Sequence, residues 1–188
     1  METEYKEKEK EVNVSNRNSS FNYKELVFRL LALSLTLVAA VVLGVDKQTT
    51  TVSLTLVPSL PPVDLPVTAK WTDLSAFVYL VIVNAIACAY AAISLVILLV
   101  TRGRNKLVSL ILLMLDLMMV VLLFSAIGAT GSVGLIGYQG NSHVQWEKVC
   151  NVFDKFCHQV AIAVFLSFAG SITYLLLILL AAVTLHNK

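Results

Sequence analysis

The chain has 188 residues, of which 57% are hydrophobic and only 14% are charged, and its mean hydropathy is +0.80. This composition excludes an ordinary soluble domain and is typical of a protein that crosses a membrane several times. The formal net charge of +2 identifies no partner by itself, so the positions of the charges matter more than their sum.

Four apolar runs follow one another along the chain, and each is long enough to cross about 30 Å of hydrocarbon as a helix. We therefore predict an all-α membrane protein, a four-transmembrane-helix bundle formed by residues 21–188. The predicted helices and loops, in chain order, are helices at 24–45, 73–100, 106–129 and 159–185, outer loops at 46–72 and 130–158, and an inner loop at 101–105.

The inner loop sets the predicted orientation. The segment TRGRNK carries Arg102, Arg104 and Lys106 and no acidic residue, so the positive-inside rule places it in the cytoplasm. With four spans, the N and C termini are then both cytoplasmic and the two long loops face outward. Glycosylation of the sequons at Asn13 or Asn18 would contradict this topology.

Residues 1–20 alternate Glu and Lys and then turn to Asn and Ser. Such a segment cannot bury an apolar face, so we predict a disordered cytoplasmic tail. Asn22 followed three residues later by Glu25 is typical of a helix N-terminus. The first helix is therefore predicted to begin near Asn22.

Two charged residues interrupt the apolar runs, Arg29 in the first and Asp116 in the third. An ionised carboxylate near mid-membrane costs roughly 2.5–3.5 kcal/mol on insertion scales, so Asp116 should face protein and find a partner. Arg29 is the candidate, because the predicted depths of the two backbones differ by only one or two turns. In the alternative, the Arg29 side chain snorkels to the cytoplasmic headgroups, and the sequence leaves both interpretations open.

The first outer loop combines two local patterns. Thr or Ser alternates with Val or Leu in TTTVSLTLV, which predicts one or two short strands. The following PSLPPVDLP is typical of a proline-rich turn. Nothing in this loop resembles a catalytic or metal site.

Small residues recur every fourth position in the second and fourth runs, a spacing that lets helices approach closely. In the second run, Asn84 can also donate a hydrogen bond to a neighbouring helix, while Cys88 is interpreted as a small packing residue. The residues predicted to form these packing faces are Asn84, Cys88 and Ala92, the row Ala85 and Ala89 or the row Ala87 and Ala91, and in the fourth run Ala163, Ser167 and Ser171.

The second outer loop holds two cysteines, Cys150 and Cys157, on the oxidising side of the predicted topology. A disulfide between them is favoured. However, Trp146, Cys150, Phe153, Cys157 and Val160 have helical spacing, and Cα atoms seven residues apart on a straight helix are about 10.5 Å apart, beyond the reach of a disulfide. Both patterns hold only if the helix breaks, for which Asp154 and Lys155 are the predicted place.

Two other patterns in or beside this loop bear on ligand binding. Glycine recurs every third residue from Gly128 to Gly140, which favours close backbone packing or a flexible exit from the bilayer and not a phosphate loop. A metal site formed by His143, His158 and the thiols is disfavoured, because their spacings fit no common zinc pattern.

Several of these features together resemble the Casparian strip membrane protein-like family, plant four-span proteins related to the MARVEL domain, and most closely its first subgroup. The resemblance rests on Arg29, Asp116, the second-run segment KWTDLSAFVYLVIVNAIACAY and the outer-loop motif GNSHVQWEKVCNVFDKFC. Within that motif we single out Gly140, Asn141, Ser142, His143 and Trp146.

The resemblance implies a plasma-membrane scaffold that forms homo- and hetero-oligomers with its relatives and contacts membrane lipids, with no cofactor and no nucleic acid. In the founding members such assemblies restrict lateral diffusion and guide local cell-wall modification. Those members carry an aromatic signature around Leu-Pro-Phe-Phe in the first outer loop, which residues 46–70 lack. The chain therefore resembles a relative of the barrier-forming members and not one of those members themselves.

The alternative function is a small channel or proton-linked transporter in which Asp116 titrates in a water-filled path. It is disfavoured because the chain has one intramembrane acid, no proline inside a run and no clear repeat. An enzyme is the weakest hypothesis, since no nucleophile and base, and no cluster of carboxylates, lie within reach of one surface.

Overall fold

The computed structural model describes residues 2–54, 63–101, 106–140 and 148–186. Within these ranges it has four α-helices, α1 (Glu2–Gly44), α2 (Ser75–Thr101), α3 (Lys106–Gln139) and α4 (Asp154–His186). Two strands, β1 (Lys47–Leu54) and β2 (Val63–Lys70), lie between α1 and α2. Each helix contains a segment long and apolar enough to cross a membrane, so the predicted all-α, four-span architecture is confirmed.

The four helices form a closed ring in which α1 packs against α2 and α4, and α3 packs against α4 and, less extensively, α2. Helices α1 and α3 are therefore diagonal to each other, as are α2 and α4. The apolar core fills the centre of the ring, and its members with no more than 1% exposure include Ala32, Leu43, Leu80, Ala87, Ala91, Leu123, Ala126, Ala163, Tyr174 and Leu177.

The N-terminal tail differs from the prediction. Helix α1 begins at Glu2, about twenty residues before Asn22, so the expected disordered tail is helical in the structure. Glu and Lys are good helix formers, and oppositely charged residues recur four apart in the sequence, at Glu2 and Lys6 and at Glu4 and Lys8. Extending a helix that the membrane span has already nucleated also costs less than starting a new one.

Helix α3 is longer than predicted by ten residues, since it ends at Gln139 and not at 129. The glycines disfavour a helix by about 1 kcal/mol each, but tertiary packing overrides this, because Val133 packs against the apolar core and Thr130 donates a hydrogen bond to the Ala76 carbonyl at 3.0 Å. The helix ends at Gly140, whose φ of 71° is in the left-handed region that favours glycine.

The predicted strands are present as a two-stranded antiparallel hairpin, in which Lys47 pairs with Lys70 and Thr49 with Thr68. Strand β2 begins at Val63 and includes Pro66, so the region predicted to be a turn is partly a strand. Each strand of a two-stranded sheet has a free edge, which accommodates a residue without an N–H. Gln48 in β1 accepts a hydrogen bond from the backbone N–H of Phe156 at 2.7 Å, which ties the hairpin to the first turn of α4.

Candidate functional site: a buried charge cluster

Arg29 and Asp116 face each other across the diagonal of the bundle. The guanidinium Nη1 and Nη2 donate to the two carboxylate oxygens of Asp116 at 3.4 and 3.2 Å, so the contact is bidentate, which adds geometric specificity to the ion pair. Arg29 is 2% exposed and Asp116 is 0% exposed. Of the two interpretations that the sequence left open, the structure has the pair, and the Arg29 side chain does not snorkel.

Helix α2 contributes two hydroxyl groups, four residues apart, that form hydrogen bonds with this ion pair. Ser94 accepts a hydrogen bond from Arg29 Nη1 at 2.8 Å, and Tyr90 donates one to Asp116 Oδ1 at 2.7 Å. Since Ser94 is also fully buried, the polar atoms around the ion pair are supplied by protein. The buried charges are therefore hydrogen-bonded on several sides, which is what a low-dielectric site requires.

A second acid approaches the same arginine from its own helix. Glu25 lies four residues before Arg29, and its Oε1 accepts hydrogen bonds from Nη2 at 3.2 Å and from Nε at 3.4 Å. The Glu25 side chain is 17% exposed, whereas that of Asp116 is buried. One arginine thus binds two carboxylates, so the cluster of Glu25, Arg29, Tyr90, Ser94 and Asp116, which we call the charge cluster, joins three helices.

A second polar layer links the other diagonal. Asn84 in α2 and Ser167 in α4 are hydrogen-bonded through both amide atoms of the asparagine, at 2.8 Å from Nδ2 and 3.1 Å to Oδ1. One turn away, Tyr174 donates to the Ala87 carbonyl at 2.7 Å, and its ring lies 6.2 Å from that of Tyr90. Both diagonals of the bundle are therefore connected by buried polar contacts.

The predicted packing faces divide into two groups. Asn84, Ala163, Ser167 and Ser171 are buried inside the protomer, where α4 approaches α1 so closely that a Cβ at Gly170 would lie 3.3 Å from Thr36 Cγ2. By contrast, Ala85, Ala89 and Ala92 are exposed and Cys88 is half-buried. The structure thus uses the face of α4 and the row Ala87 and Ala91 of α2 within one chain. It leaves Ala85, Ala89 and Ala92, which we call the alanine row, on the outside.

Cys150 and Cys157 form a disulfide with a Cα–Cα distance of 5.7 Å. The two patterns that conflicted in the sequence both occur, because a one-turn 3-10 helix at Val149–Asn151 is separated from α4 by Val152 and Phe153. The break precedes Asp154 and is not at Asp154 and Lys155 as predicted. An acidic residue favours a helix N-terminus, so Asp154 begins α4.

The outer-loop motif is only partly described. Gly140 ends α3, whereas Asn141, Ser142, His143 and Trp146 lie outside the described residues. His158 is exposed in the first turns of α4. No group of three or more His, Cys, Asp or Glu among the described residues is placed to hold a metal ion.

Sequence reasoning missed three members of the charge cluster, Glu25, Tyr90 and Ser94. The signal that could have found them is their spacing, because Glu25 precedes Arg29 by one turn, and Tyr90 and Ser94 lie one turn apart in an otherwise apolar run.

The sequence analysis also missed Asp46, which is 1% exposed just after α1 and whose carboxylate oxygens have no hydrogen-bond partner among the described residues. Burial raises the pKa of Asp46 to about 6, although Lys155 acts to lower it.

Comparison with known proteins identifies a family of membrane proteins that this chain resembles over most of its length. The family model described as the Casparian strip membrane protein domain matches residues 18–173. CASP-like protein 1E2 of Vitis vinifera is 58% identical over 164 residues, which cover 87% of this chain and 84% of the relative. CASP-like protein 1E1 of Glycine max is 50% identical over 181 residues, 96% of each chain, and that of Arabidopsis thaliana is 52% identical over 162 residues, 86% of this chain and 85% of the relative. No solved structure matches this chain.

Proposed function

Because the chain belongs to the Casparian strip membrane protein domain family, we propose that it is a non-enzymatic scaffold of the plant plasma membrane. In this role it oligomerises with itself and its relatives to organise a membrane domain, and it guides local modification of the cell wall. The observation that carries the proposal is the charge cluster, whose polar groups bind one another and leave the outer faces of the helices apolar.

The cluster supports a structural role for the two intramembrane charges. A buried ion pair contributes little net stability against an apolar pair of the same size, but it disfavours every arrangement in which one charge loses its partner. Arg29 and Asp116 on diagonal helices therefore select one rotation and one depth for α1 and α3. The result is a protomer of fixed shape, which an ordered assembly requires.

The alanine row of α2 supports the oligomeric part of the proposal. Ala85, Ala89 and Ala92 are exposed, and small residues at this spacing let a second helix approach closely in a membrane. Large side chains flank the row, with Ile82, Ile86, Ile93 and Val96 between 46% and 60% exposed. We propose this face of α2 as the contact between protomers.

The transport alternative is less well supported. It requires water to reach Asp116, yet this side chain is fully buried and is bonded to Arg29 and Tyr90. An Asp116-dependent proton flux in liposomes would favour transport over the scaffold.

The test is chemical cross-linking and native-size analysis of the full chain in nanodiscs. The wild type is expected to form discrete oligomers, and Ala89→Leu is expected to lower the oligomeric fraction by placing a large side chain in the proposed contact. Ala182→Leu is the matched control, because Ala182 is an exposed alanine of α4 outside this row.

Asp116→Asn tests the contribution of the charge cluster and is expected to weaken assembly through the shape of the protomer. A wild type that is monomeric at all protein concentrations would contradict the proposal. Oligomers that are unchanged in Ala89→Leu would exclude the alanine row as the contact and leave the scaffold without its proposed interface.

A further inference from the structure

A groove of about 790 Å³ lies at the end of the bundle that carries the hairpin. It is open on one side and runs between the last turns of α3, the turn before α4 and the first turns of α4. The residues that line it are largely apolar and include Phe77, Val133, Phe153, Phe156, Val160 and Val164. A volume of this size is in the range of roughly 300–1,000 Å³ that holds one small ligand.

The groove is open because of the glycines in α3. Gly131, Gly134 and Gly137 line it, and a Cβ added at any of the three would meet no atom within 4 Å. The opposite wall is held by the disulfide between Cys150 and Cys157, both of which line the groove. The regular glycine spacing thus forms a trough, and the crosslink keeps the facing turn in place.

The length of α3 places this groove near the surface of the bilayer. The helix has 34 residues, so it is about 51 Å long at about 1.5 Å per residue, against about 30 Å of hydrocarbon. If hydrocarbon begins near Lys106, the glycine wall lies in the headgroup layer and just beyond it. An apolar trough at this depth continues the hydrocarbon of one leaflet toward water.

A lysine lies at the outer end of the groove. Among the described residues that line it, Lys148 is the one charged residue, and its side chain is exposed. It lies near the first turns of α4, because Cys150, two residues later, is bonded to Cys157. Val160 and Val164 line the groove several residues further along α4, toward the hydrocarbon.

An apolar trough that leads from the leaflet to a single cation fits an amphiphile with one chain and one negative charge. We propose that this groove binds a long-chain fatty acid, with the chain along the glycine wall and the carboxylate beside Lys148. A single chain with a small headgroup suits the volume better than a two-chain phospholipid does. This binding site is independent of the proposed scaffold role and of the alanine row.

The experiment uses the full chain in phosphatidylcholine nanodiscs and a photoreactive oleate analogue with a diazirine near the end of its chain. Labelling is mapped by mass spectrometry and is expected at residues 131–138 of α3 and 157–164 of α4. Gly134→Leu fills the trough and is expected to lower this labelling at least about tenfold, because the chain loses its apolar contact area.

Gly128→Leu is the matched control, because Gly128 lies in the same helix outside the groove and also has open space beside it. Ala161→Leu, in the α4 wall, is a second filling variant should Gly134→Leu fail to fold, and it is expected to lower labelling in the same way. Native size, measured on the same samples, separates a loss of lipid binding from a loss of assembly.

The charge is tested with the methyl ester of the same probe. Lys148→Gln is expected to weaken binding of the acid about twofold to fivefold, the range of an exposed ion pair, and to leave the ester unchanged. Lys47→Gln removes an exposed lysine from the hairpin, outside the groove, and is expected to change neither.

Three outcomes would overturn the proposal. They are a wild type that is not labelled at these residues, equal labelling of wild type and both filling variants, and equal effects of Lys148→Gln on acid and ester. If a second copy of the chain fills the groove instead, Gly134→Leu would change the oligomer size without any labelling of the wild type, which also overturns it.

Discussion

In one part of this bundle the buried polar groups bind one another, whereas another part leaves an apolar surface open. In the half of the bundle that we predict to be nearer the cytoplasm, the charge cluster brings Arg29, Asp116 and three further polar side chains into mutual contact. At the hairpin end, the described residues leave an apolar groove open, and the buried carboxylate of Asp46 has no hydrogen-bond partner among them. One end defines the shape of the protomer, and the other presents surface to other molecules.

Because of this difference, the two ends should respond to different perturbations. Loss of one charge in the charge cluster leaves its partner buried in a low dielectric. The hairpin end, which we call the open end, is instead held by a disulfide and a hairpin that water can reach. Stability should therefore depend most on the charge cluster, and conditions such as redox state and pH should act mainly on the groove and the hairpin.

The largest effect is expected for Arg29→Leu, which leaves Asp116 buried without its cation. Removing one partner of a buried pair costs about 3–5 kcal/mol, so the free energy of unfolding in bicelles, measured by steric trapping, should fall by that amount. The double variant Arg29→Leu/Asp116→Leu should recover most of the loss. A double variant as unstable as Arg29→Leu would mean that the pair itself, and not the orphaned charge, carries the stability.

A smaller effect is expected from loss of the disulfide at the open end. Cys150→Ala/Cys157→Ala releases a closed loop of eight residues, which should lower the free energy of unfolding by roughly 2–3 kcal/mol in the chain-entropy model. Amide exchange should rise in residues 148–160 and stay unchanged around Asp116. Cys88→Ala, which removes the remaining thiol, is the control. Equal changes in amide exchange at both ends would show that the effect of the disulfide is not confined to the hairpin end.

The pH dependence should also arise at the open end. Burial raises the pKa of Asp46 from its ordinary 3.8 to about 6, so the folded state holds this proton more tightly than the unfolded state does. Its ionised form is then a cost that is fully present above about pH 6 and disappears as the pH falls toward 4. The wild type should gain stability from pH 7.5 to 5, on the order of 1 kcal/mol or more for a buried unpaired carboxylate.

Asp46→Asn should remove this dependence, whereas Asp73→Asn, an exposed carboxylate at the end of the hairpin, should leave it. Thermal unfolding in nanodiscs across this pH range measures both. A slope that persists in Asp46→Asn would assign the proton to another group.

The smallest effect is expected for Ser167→Ala in the second polar layer. The change removes one partner of Asn84, but the Asn84 amide still donates to the Leu80 carbonyl at 2.8 Å. Hydrogen bonds between helices in membranes contribute about 0.6 kcal/mol on average, so the loss should be of that size. A loss as large as that of Arg29→Leu would show that the two diagonals of the bundle are equally important.

Several features were predictable because they depend on local composition. The four spans follow from the lengths of the apolar runs, since hydrocarbon of fixed thickness requires about 20 apolar residues. The hairpin follows from alternation, and the family from the second-run segment and the outer motif. Arg29 and Asp116 could be selected because a charge inside an apolar run is rare. The orientation of the termini and the oligomeric role stay predictions.

The rotation of each helix about its own axis, by contrast, depends on how the four helices pack together. Helices that are apolar on every side carry little periodic signal to say which face meets which neighbour, so the sequence could not place Tyr90 and Ser94 beside the ion pair. For the same reason it could not tell that Ser167 and Ser171 face inward while Ala89 faces out. The lengths of α1 and α3, the burial of Asp46 and the groove beside the glycines likewise depend on contacts between segments far apart in the chain, which only the packed bundle brings together.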